Sequence, residues 1–78
     1  MELNENQIKM LKTLAKATKD SPIEIEDTFP MADQSDAIQK QNYIDYLDLY
    51  TRGFIGSHGK EWITEKGAKV LSSIPTEA

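Results

Sequence analysis

The sequence predicts one small domain of the α+β class, mostly helical, over residues 1–78. Three segments carry apolar residues at the three- and four-residue spacing of an amphipathic helix, which indicates helices with one buried side. Between the second and third of these segments, two apolar pairs flank a short polar stretch that contains a glycine, a pattern typical of a β-hairpin. The expected domain is therefore a three-helix core with a short hairpin before its C-terminal helix.

The composition restricts the chemistry of the chain. There is no cysteine and His58 is the only histidine, so disulfides, thiolate chemistry and the usual structural zinc sites are excluded. No apolar run approaches the ~20 residues of a membrane span, and residues 1–10 lack the basic start and apolar stretch of a signal peptide. We therefore expect a cytoplasmic protein with no membrane partner, no metal and no cofactor.

The first predicted helix covers residues 4–20. Asn4 or Asn6 can cap it, because an Asn side chain accepts hydrogen bonds from the free N–H groups of the first turn. The helix should end near Ser21, since Ser21 precedes Pro22 and that position disfavours helical geometry. The predicted buried stripe is Ile8, Leu11, Leu14, Ala15 and Thr18, and the predicted solvated flank is Lys9, Lys12, Lys16 and Lys19.

The next segment, residues 22–30, is compatible with two structures. Ile23 and Ile25 alternate with two glutamates, which is the period of a short strand with one buried face. A short helical turn from Glu26 to Phe29 fits equally well. In both interpretations Pro30 closes the segment.

The second predicted helix lies within residues 31–52, and Asp33, Ser35 or Asp36 can cap it. Projected at ~100° per residue, its apolar residues cover a wide arc that we expect to face the core, while its polar side should face water or a partner. Gly53 ends the helix, because glycine adopts a left-handed C-cap conformation at little cost. The apolar arc contains Tyr43, Ile44, Tyr46, Leu47, Leu49 and Tyr50, and the polar side contains Gln41, Asp45, Asp48 and Arg52.

The predicted hairpin has residues 54–56 and 61–63 as its strands, and the four residues between them as its turn. Gly59 can supply the positive φ that such turns need. Thr64 is the predicted N-cap of the last helix, and Pro75 its predicted stop. The residues of this helix that should face inward are Val70, Leu71 and Ile74.

The stretch "LDLYTRGFIGSHGKEWITEKGAKVL" resembles the second half of a winged helix-turn-helix domain. It is similar to the pattern of MarR-like and PadR-like bacterial regulators, in which a leucine ends the recognition helix and a Gly-apolar-apolar step leads into a hairpin wing. The wing then runs into an apolar-Thr-x-x-Gly-x-x-x-Leu segment. The matching residues are Leu49, Gly53, Phe54 and Ile55, followed by Ile63, Thr64, Gly67 and Leu71.

The resemblance covers roughly residues 44–72, and over residues 1–43 it extends only to the order of elements. It implies a winged helix-turn-helix fold in which Phe54 and Ile63 anchor the hairpin to the core and Trp62 leans on its flank. The alternative is another small α+β domain whose hairpin merely covers a core.

The resemblance also implies a function. It points to a small DNA-binding protein, a transcriptional regulator of bacterial, phage or mobile-element origin, whose partner is double-stranded DNA. In such proteins the helix before the wing enters the major groove, and the wing tip reaches the backbone or the minor groove. Such regulators commonly form homodimers; here the spare apolar surface of the first helix or exposed tyrosines would have to serve.

Candidate DNA-binding residues can be named from their chemistry. Gln and Asn can pair with an adenine edge and Lys with guanine, while hydroxyl, imidazole and cationic groups can donate to phosphates. The candidates near the start of the presumed recognition helix, at its end and at the wing tip are Gln34, Gln39, Lys40, Gln41, Asn42, Arg52, Ser57, His58 and Lys60.

The charge distribution argues against DNA as the partner. The net charge is −4, and residues 21–50 carry seven acids against one lysine, giving −6, whereas DNA-binding surfaces are normally basic. The alternative is a protein-interaction module on the same fold, which would dock a basic partner through an acidic helix face flanked by tyrosines. We expect no enzyme activity, because the chain offers no nucleophile–base pair and no phosphate-binding glycine loop.

Overall fold

The computed structural model describes residues 3–74, which form three α-helices and a two-stranded antiparallel hairpin. The elements in chain order are α1 (Glu5–Thr13), a 3-10 helix (Ile25–Asp27), α2 (Ala37–Thr51), β1 (Ile55–His58), β2 (Lys60–Ile63) and α3 (Glu65–Ser73). The α+β class, mostly helical with a hairpin before the last helix, is confirmed. The predicted stop at Pro75 lies outside the described residues.

Polar side chains fix the starts of the α-helices. Asn4, Asp36 and Thr64 each accept a hydrogen bond from the backbone N–H three residues further on, at 2.8, 2.9 and 3.1 Å. At α1 the side chain of Gln7 also accepts from the Asn4 N–H at 3.1 Å, which completes a capping box. Each of these residues is among the caps that the sequence predicts.

α1 ends earlier than predicted, at Thr13 rather than near Ser21. The chain leaves the helix through a turn, and Thr18 pairs with Ser21 in an antiparallel bridge with N···O distances of 3.2 and 3.0 Å. This turn allows the carbonyl of Ala17 to accept a hydrogen bond from β2 at 3.3 Å. As a result Ala17 is buried, whereas Ala15 and Thr18 of the predicted stripe are exposed. The four lysines of the predicted flank are exposed, as expected.

Between α1 and α2 the structure has a short helical turn, one residue earlier than predicted, and only a single-residue bridge in place of the alternative strand. Ile23 pairs antiparallel with Glu61 of β2 through two backbone hydrogen bonds of 2.8 and 2.7 Å. The 3-10 helix Ile25–Asp27 follows directly, and the side chain of Ile25 is buried in the core. Ile23 therefore adds a single residue of pairing to the outer edge of the hairpin.

The hairpin pairs Ile55 with Ile63 and Gly56 with Trp62, and its register leaves Gly59 alone at the tip, with a φ of 81°. The strands are therefore longer than predicted. The indole of Trp62 lies across Gly56, so only glycine fits at this position: a Cβ atom there would overlap the ring. Trp62 therefore packs against the opposite strand of its own hairpin, which agrees with its expected position on the flank of the hairpin.

The core lies where α1, α2 and the base of the hairpin meet. Phe54 is fully buried and Ile63 packs against the core, so the predicted anchoring of the hairpin is confirmed. Val70 and Leu71 of α3 also pack against it, both half-buried. The largest fully buried side chains are Phe54, Met10, Leu11, Leu14, Ile25, Leu49 and Ile55.

The predicted orientation of α2 about its own axis is wrong. Of the predicted apolar arc only Leu49 is fully buried, and Tyr46 is half-buried. Asp45, which was expected to face water, is 3% exposed, and Asn42 is 6% exposed. The arc residues Tyr43, Ile44, Leu47 and Tyr50 are exposed instead.

Candidate functional site

A buried polar cluster joins α1 to α2 and determines which side of α2 faces outward. The Asp45 carboxylate accepts hydrogen bonds from three side-chain amides: Asn4 at 2.9 Å, Gln41 at 3.0 Å and Asn6 at 2.8 Å. Burying a carboxylate costs free energy unless such donors are present. Asp45 can therefore face inward because the N-terminal turn of α1 supplies two of these donors.

Two further contacts extend this cluster along the helices. The Asn42 side chain accepts from Asn6 at 3.0 Å and donates to the carbonyl of Pro30 at 2.9 Å. The Gln7 amide donates to Asp48 at 2.7 Å. No buried side-chain nitrogen or oxygen within residues 3–74 lacks a partner. α2 therefore docks on α1 through polar groups on successive turns, where the sequence predicted an apolar face.

The opposite side of α2 presents an apolar surface to solvent, which we call the outer face. It consists of Tyr43, Ile44, Leu47 and Tyr50, with exposed fractions of 41, 48, 44 and 48%. Leu47 lies one turn from each of the other three, so the four residues share one side of the helix. Together they expose about 350 Å² of largely apolar area, which is the size of patches that are often functional in small proteins. The outer face is the main candidate interaction surface of the described chain.

Glu61 holds the hairpin to the rest of the domain. Its side chain is buried and accepts from the backbone N–H of Ile25 at 3.0 Å and from the Ser57 hydroxyl at 2.8 Å. The Tyr46 hydroxyl lies 3.5 Å from the same carboxylate. Burial raises the pKa of Tyr46 above its ordinary value, and the negative charge of Glu61 adds to this rise. One carboxylate thus connects β2 to β1, to the 3-10 helix and to α2.

The tip of the hairpin is polar and exposed. His58 and Lys60 face each other across Gly59, and both are exposed. A Cβ atom at Gly59 would meet no other atom within 4 Å, so the tip stands clear of the body. Ser57, in contrast, is half-buried and its hydroxyl is bonded to Glu61. Of the three predicted wing-tip residues, two remain available to a partner.

Two of the predicted site residues stabilise the loop before α2. Gln34 donates from its side chain to the carbonyl of Met31 at 2.7 Å. The side-chain oxygen of Gln39 accepts from the backbone N–H of Asp33 at 3.0 Å. Both glutamines thus have a local structural contact that the sequence did not suggest.

The remaining predicted residues differ in how far they are engaged. Lys40 is exposed near the start of α2. Gln41 is exposed but bonded to Asp45, and Asn42 is buried within the polar cluster, which removes its side chain from the surface. Arg52 is half-buried and lies 3.2 Å from the carboxylate of Asp48. The structure therefore leaves Lys40 as the freely presented side chain among these four.

The acids near the start of α2 have local roles. Asp36 caps the helix. Asp33 accepts from the N–H and the hydroxyl of Ser35 at 3.0 and 2.6 Å, and these hydrogen bonds hold the pKa of Asp33 below its ordinary value. Both carboxylates nevertheless remain exposed. The surface around the start of α2, where Lys40 is exposed, therefore carries two negative charges.

The described chain offers little for small-ligand or metal chemistry. A shallow groove runs between α1 and α2 beside Leu3 and Ile44, but its polar groups belong to the cluster around Asp45 and Asp48 and are already bonded. Within residues 3–74, no group of three or more histidine or carboxylate side chains could hold a metal ion. None of the helices in the same range is long and apolar enough to cross a membrane.

Comparison of the chain with protein-family models, with curated proteins and with solved structures finds no match. The candidate site is therefore defined by the geometry of this chain alone. Sequence reasoning missed two residues that matter for this geometry: Asp45, which was not expected to be buried, and Glu61. Glu61 gave one usable signal, since it lies in a predicted strand two residues before Ile63, on the same side of that strand as this core-facing residue. Asp45 gave none, because two of its three donors, Asn4 and Asn6, lie about forty positions away in the chain.

Proposed function

We propose that the chain adopts the winged-helix arrangement. Its elements follow one another in the order that this fold requires, with α2 leading through Gly53, at a φ of 81°, into the hairpin. The pairing of Ile23 with Glu61 supports the proposal further, because it places the segment after α1 against the second strand of the hairpin. The hairpin then takes the position of the wing, and α2 that of the helix before it.

On this fold we propose a protein-interaction module that docks a partner through the outer face of α2. The observation that carries the proposal is the exposure of Tyr43, Ile44, Leu47 and Tyr50 on one side of the helix. Aromatic and aliphatic side chains of this kind are enriched at the centres of protein–protein interfaces. Interfaces with DNA are instead polar and strongly positive, and the outer face bears no cation among its four residues.

This proposal changes the chemistry of the expected protein partner. An acidic docking face was expected on α2, formed by Asp45 and Asp48. Asp45 is buried and Asp48 is bonded to Gln7 and paired with Arg52, so these acids do not form a docking surface for a basic partner. The partner that fits the outer face presents an apolar surface with few charges.

Site-specific photo-crosslinking tests this function. A photoreactive phenylalanine analogue at Tyr43 should form a covalent adduct with a protein, and adding Leu47→Glu to the same chain should abolish the adduct. The matched control carries the probe at Lys12 on the exposed flank of α1, where no such adduct is expected. A Tyr43 probe that reacts only with nucleic acid, or with nothing, would contradict the proposal.

A second candidate function is DNA binding through the wing tip, which the exposed pair His58 and Lys60 favours. An amide-shift NMR titration with a mixed-sequence duplex tests it. Shifts should concentrate from Ser57 to Lys60 and around Lys40 and fade as salt rises, because phosphate contacts release counterions. Lys60→Glu should weaken binding to every sequence, with Lys12→Glu as the control of equal charge change. The absence of shifts at low salt would exclude this candidate.

A further inference from the structure

We infer that the open edge of β1 binds an extended acidic segment of another protein, which pairs with the hairpin as an added strand. The hairpin has two outer edges, and they differ in hydrogen bonding. On the β2 edge, Ile23 forms two backbone hydrogen bonds with Glu61, of 2.8 and 2.7 Å, and the Ala17 carbonyl accepts from Ile63 at 3.3 Å. Within residues 3–74, no segment pairs with the other edge of β1. This site lies on the hairpin rather than on α2, so the inference goes beyond the proposed function.

The register of the hairpin shows which backbone groups of β1 face this open edge. The N–H and C=O of Glu61 point away from β1, because both bond to Ile23. Ser57 lies directly opposite Glu61, and at such a position of an antiparallel pair the backbone groups of both residues point outward. Neither the N–H nor the C=O of Ser57 has a hydrogen-bond partner in the part of the chain that the structure describes. Ser57 therefore presents the same donor and acceptor with which Glu61 holds Ile23.

The accessible part of this edge is short. Ile55 also directs its backbone groups outward, two residues before Ser57, but it is only 2% exposed and a partner cannot reach it. From Gly56 to the hairpin tip, the strand is half-buried and then exposed. Extended peptides bind to such edges through backbone hydrogen bonds. A partner strand can thus form two hydrogen bonds with Ser57 and continue past the tip.

The side chains near the edge determine the chemistry of the partner. A residue opposite Ser57 directs its side chain to the inner side of the hairpin, beside Tyr46 and the buried carboxylate of Glu61. An uncharged residue fits there, since a second acid would be repelled. The two neighbours of this residue lie on the outer side, near the exposed pair His58 and Lys60. Acidic residues complement this end, because within residues 3–74 Lys60 forms no ion pair.

A second copy of this chain does not supply such a segment. Its own β1 reads Ile-Gly-Ser-His and contains no carboxylate. The segment around Ile23 does alternate apolar and acidic residues, but Ile23 is already paired with β2 of its own chain. The occupant that fits is therefore a strand of another protein in which acidic residues flank an uncharged one.

An amide-shift NMR titration with the peptide acetyl-Thr-Glu-Val-Glu-Thr-amide tests the inference. The Ser57 amide proton should show the largest downfield shift, because it gains an acceptor. N-methylation of the valine removes the N–H that reaches the Ser57 carbonyl and should weaken binding about fivefold or more. N-methylation of the first glutamate, whose N–H points away from β1, should have little effect. Equal binding of the two methylated peptides would overturn the inference, as would no shift at Ser57 with about 10 mM peptide, where even a complex with a millimolar Kd forms.

Two substitutions test the same contact from the side of the chain. Ser57→Pro removes the edge N–H, which does not bond to β2, and should weaken peptide binding about fivefold or more. Ser57→Ala also loses the hydroxyl contact with Glu61 but keeps the N–H, so it should bind the peptide like the wild type. Equal affinity of the two variants would contradict the inference.

Two further readouts identify the surface and the occupant. Leu47→Glu on the outer face should leave peptide affinity unchanged while it abolishes the Tyr43 crosslink, so the two surfaces can fail separately. A loss of peptide binding in Leu47→Glu would place the peptide on the outer face and overturn the inference. A Ser57 amide shift that depends on protein concentration without peptide would identify a second copy as the occupant and would also overturn it.

Discussion

Among the glycines, Gly67 has the tightest surroundings. It lies in the first turn of α3, where the helix passes directly against the backbone of Phe54. A Cβ atom at this position would overlap the Phe54 carbonyl oxygen and carbon. The same carbonyl accepts a hydrogen bond from the N–H of Thr64 at 3.1 Å, so it cannot move aside without loss. Glycine is therefore the residue that lets α3 close over the base of the hairpin.

Gly67→Ala should lower the free energy of unfolding by about 2 kcal/mol or more, because overpacking against backbone forces α3 away from the hairpin. The intrinsic helix preference of alanine works in the other direction and offsets only part of this cost. Urea denaturation measures the change. Lys69→Ala, at an exposed position of the same helix, is the control and should change stability by less than ~0.5 kcal/mol. Equal stability of the two variants would contradict the packing argument.

The Tyr46 hydroxyl should make stability sensitive to alkaline pH. Burial raises its pKa in the folded state above the ordinary value of 10.0, so the neutral form contributes stability below about pH 10. This contribution is lost as the pH rises through the folded-state pKa. Urea denaturation from pH 8 to pH 11 should therefore show a steeper loss of stability in the wild type than in Tyr46→Phe. Tyr43→Phe, at an exposed position, should follow the wild type; parallel curves for all three would count against this assignment.

At the scale of elements, Glu61 connects the hairpin to the segment after α1, whose Ile25 lies 36 positions earlier in the chain. Its backbone pairs with Ile23, its carboxylate caps the N–H of Ile25, and the other carboxylate oxygen accepts from Ser57. The hairpin is therefore attached to the segment after α1 by both backbone and side-chain hydrogen bonds. Removing the side chain leaves a buried N–H without its acceptor, which costs more than the bond itself contributes.

Glu61→Ala should loosen the segment from Ile23 to the 3-10 helix while α1 and α2 stay folded. The measurement is amide hydrogen exchange, in which the Ile25 N–H should lose protection by about tenfold or more. Ser57→Ala removes one partner of the same carboxylate but leaves the Ile25 contact in place, so protection at Ile25 should be largely kept. Unchanged exchange at Ile25 in Glu61→Ala would show that the carboxylate does not stabilise this junction.

Local signals predicted the elements better than they predicted how the elements face one another. The caps Asn4, Asp36 and Thr64 and the glycine at the hairpin tip act within a few residues. The sequence predicted Thr64 and Gly59 directly, and it gave Asn4 and Asp36 among two and three neighbouring candidates. The orientation of α2 could not be predicted in this way, because Asp45 is a charged residue that is buried only through hydrogen bonds from Asn4 and Asn6. The early end of α1 likewise follows from contacts of Ala17 with the hairpin.

At the scale of the whole molecule, the parts of the candidate site that depend on local sequence were predicted, and the part that depends on contacts between distant elements was not. The exposed hairpin tip was predicted from its polar residues around a glycine, and the structure places His58 and Lys60 there. The outer face was not predicted as one apolar surface. Its residues were assigned to the arc that faces the core, and only the tyrosines were considered as exposed contacts. The amides of α1 bond Asp45 and Asp48 and so hold the polar side of α2 inward. The apolar stripe on the opposite side of α2 is therefore exposed.

Salt should act differently on the two candidate functions. Raising ionic strength from about 50 to about 500 mM shortens the Debye length to a few ångströms. Docking of a protein through the uncharged outer face should change little, because burial of apolar area does not depend on ion pairs. Binding to DNA should weaken steeply over the same range. The Tyr43 crosslink, measured at both salts, checks the first; an adduct lost at high salt would show that ion pairs rather than apolar contacts hold the partner.

The contact between Trp62 and Gly56 gives the chain a built-in optical probe. Trp62 is the only tryptophan, and its half-buried indole rests on the hairpin. Its fluorescence, which can be excited at wavelengths where tyrosine does not absorb, therefore reports the environment of one hairpin. A ligand that changes the indole signal acts at or near the hairpin, and a ligand that binds without changing it acts elsewhere, as on the outer face. Indole emission can thus distinguish these two surfaces without any label.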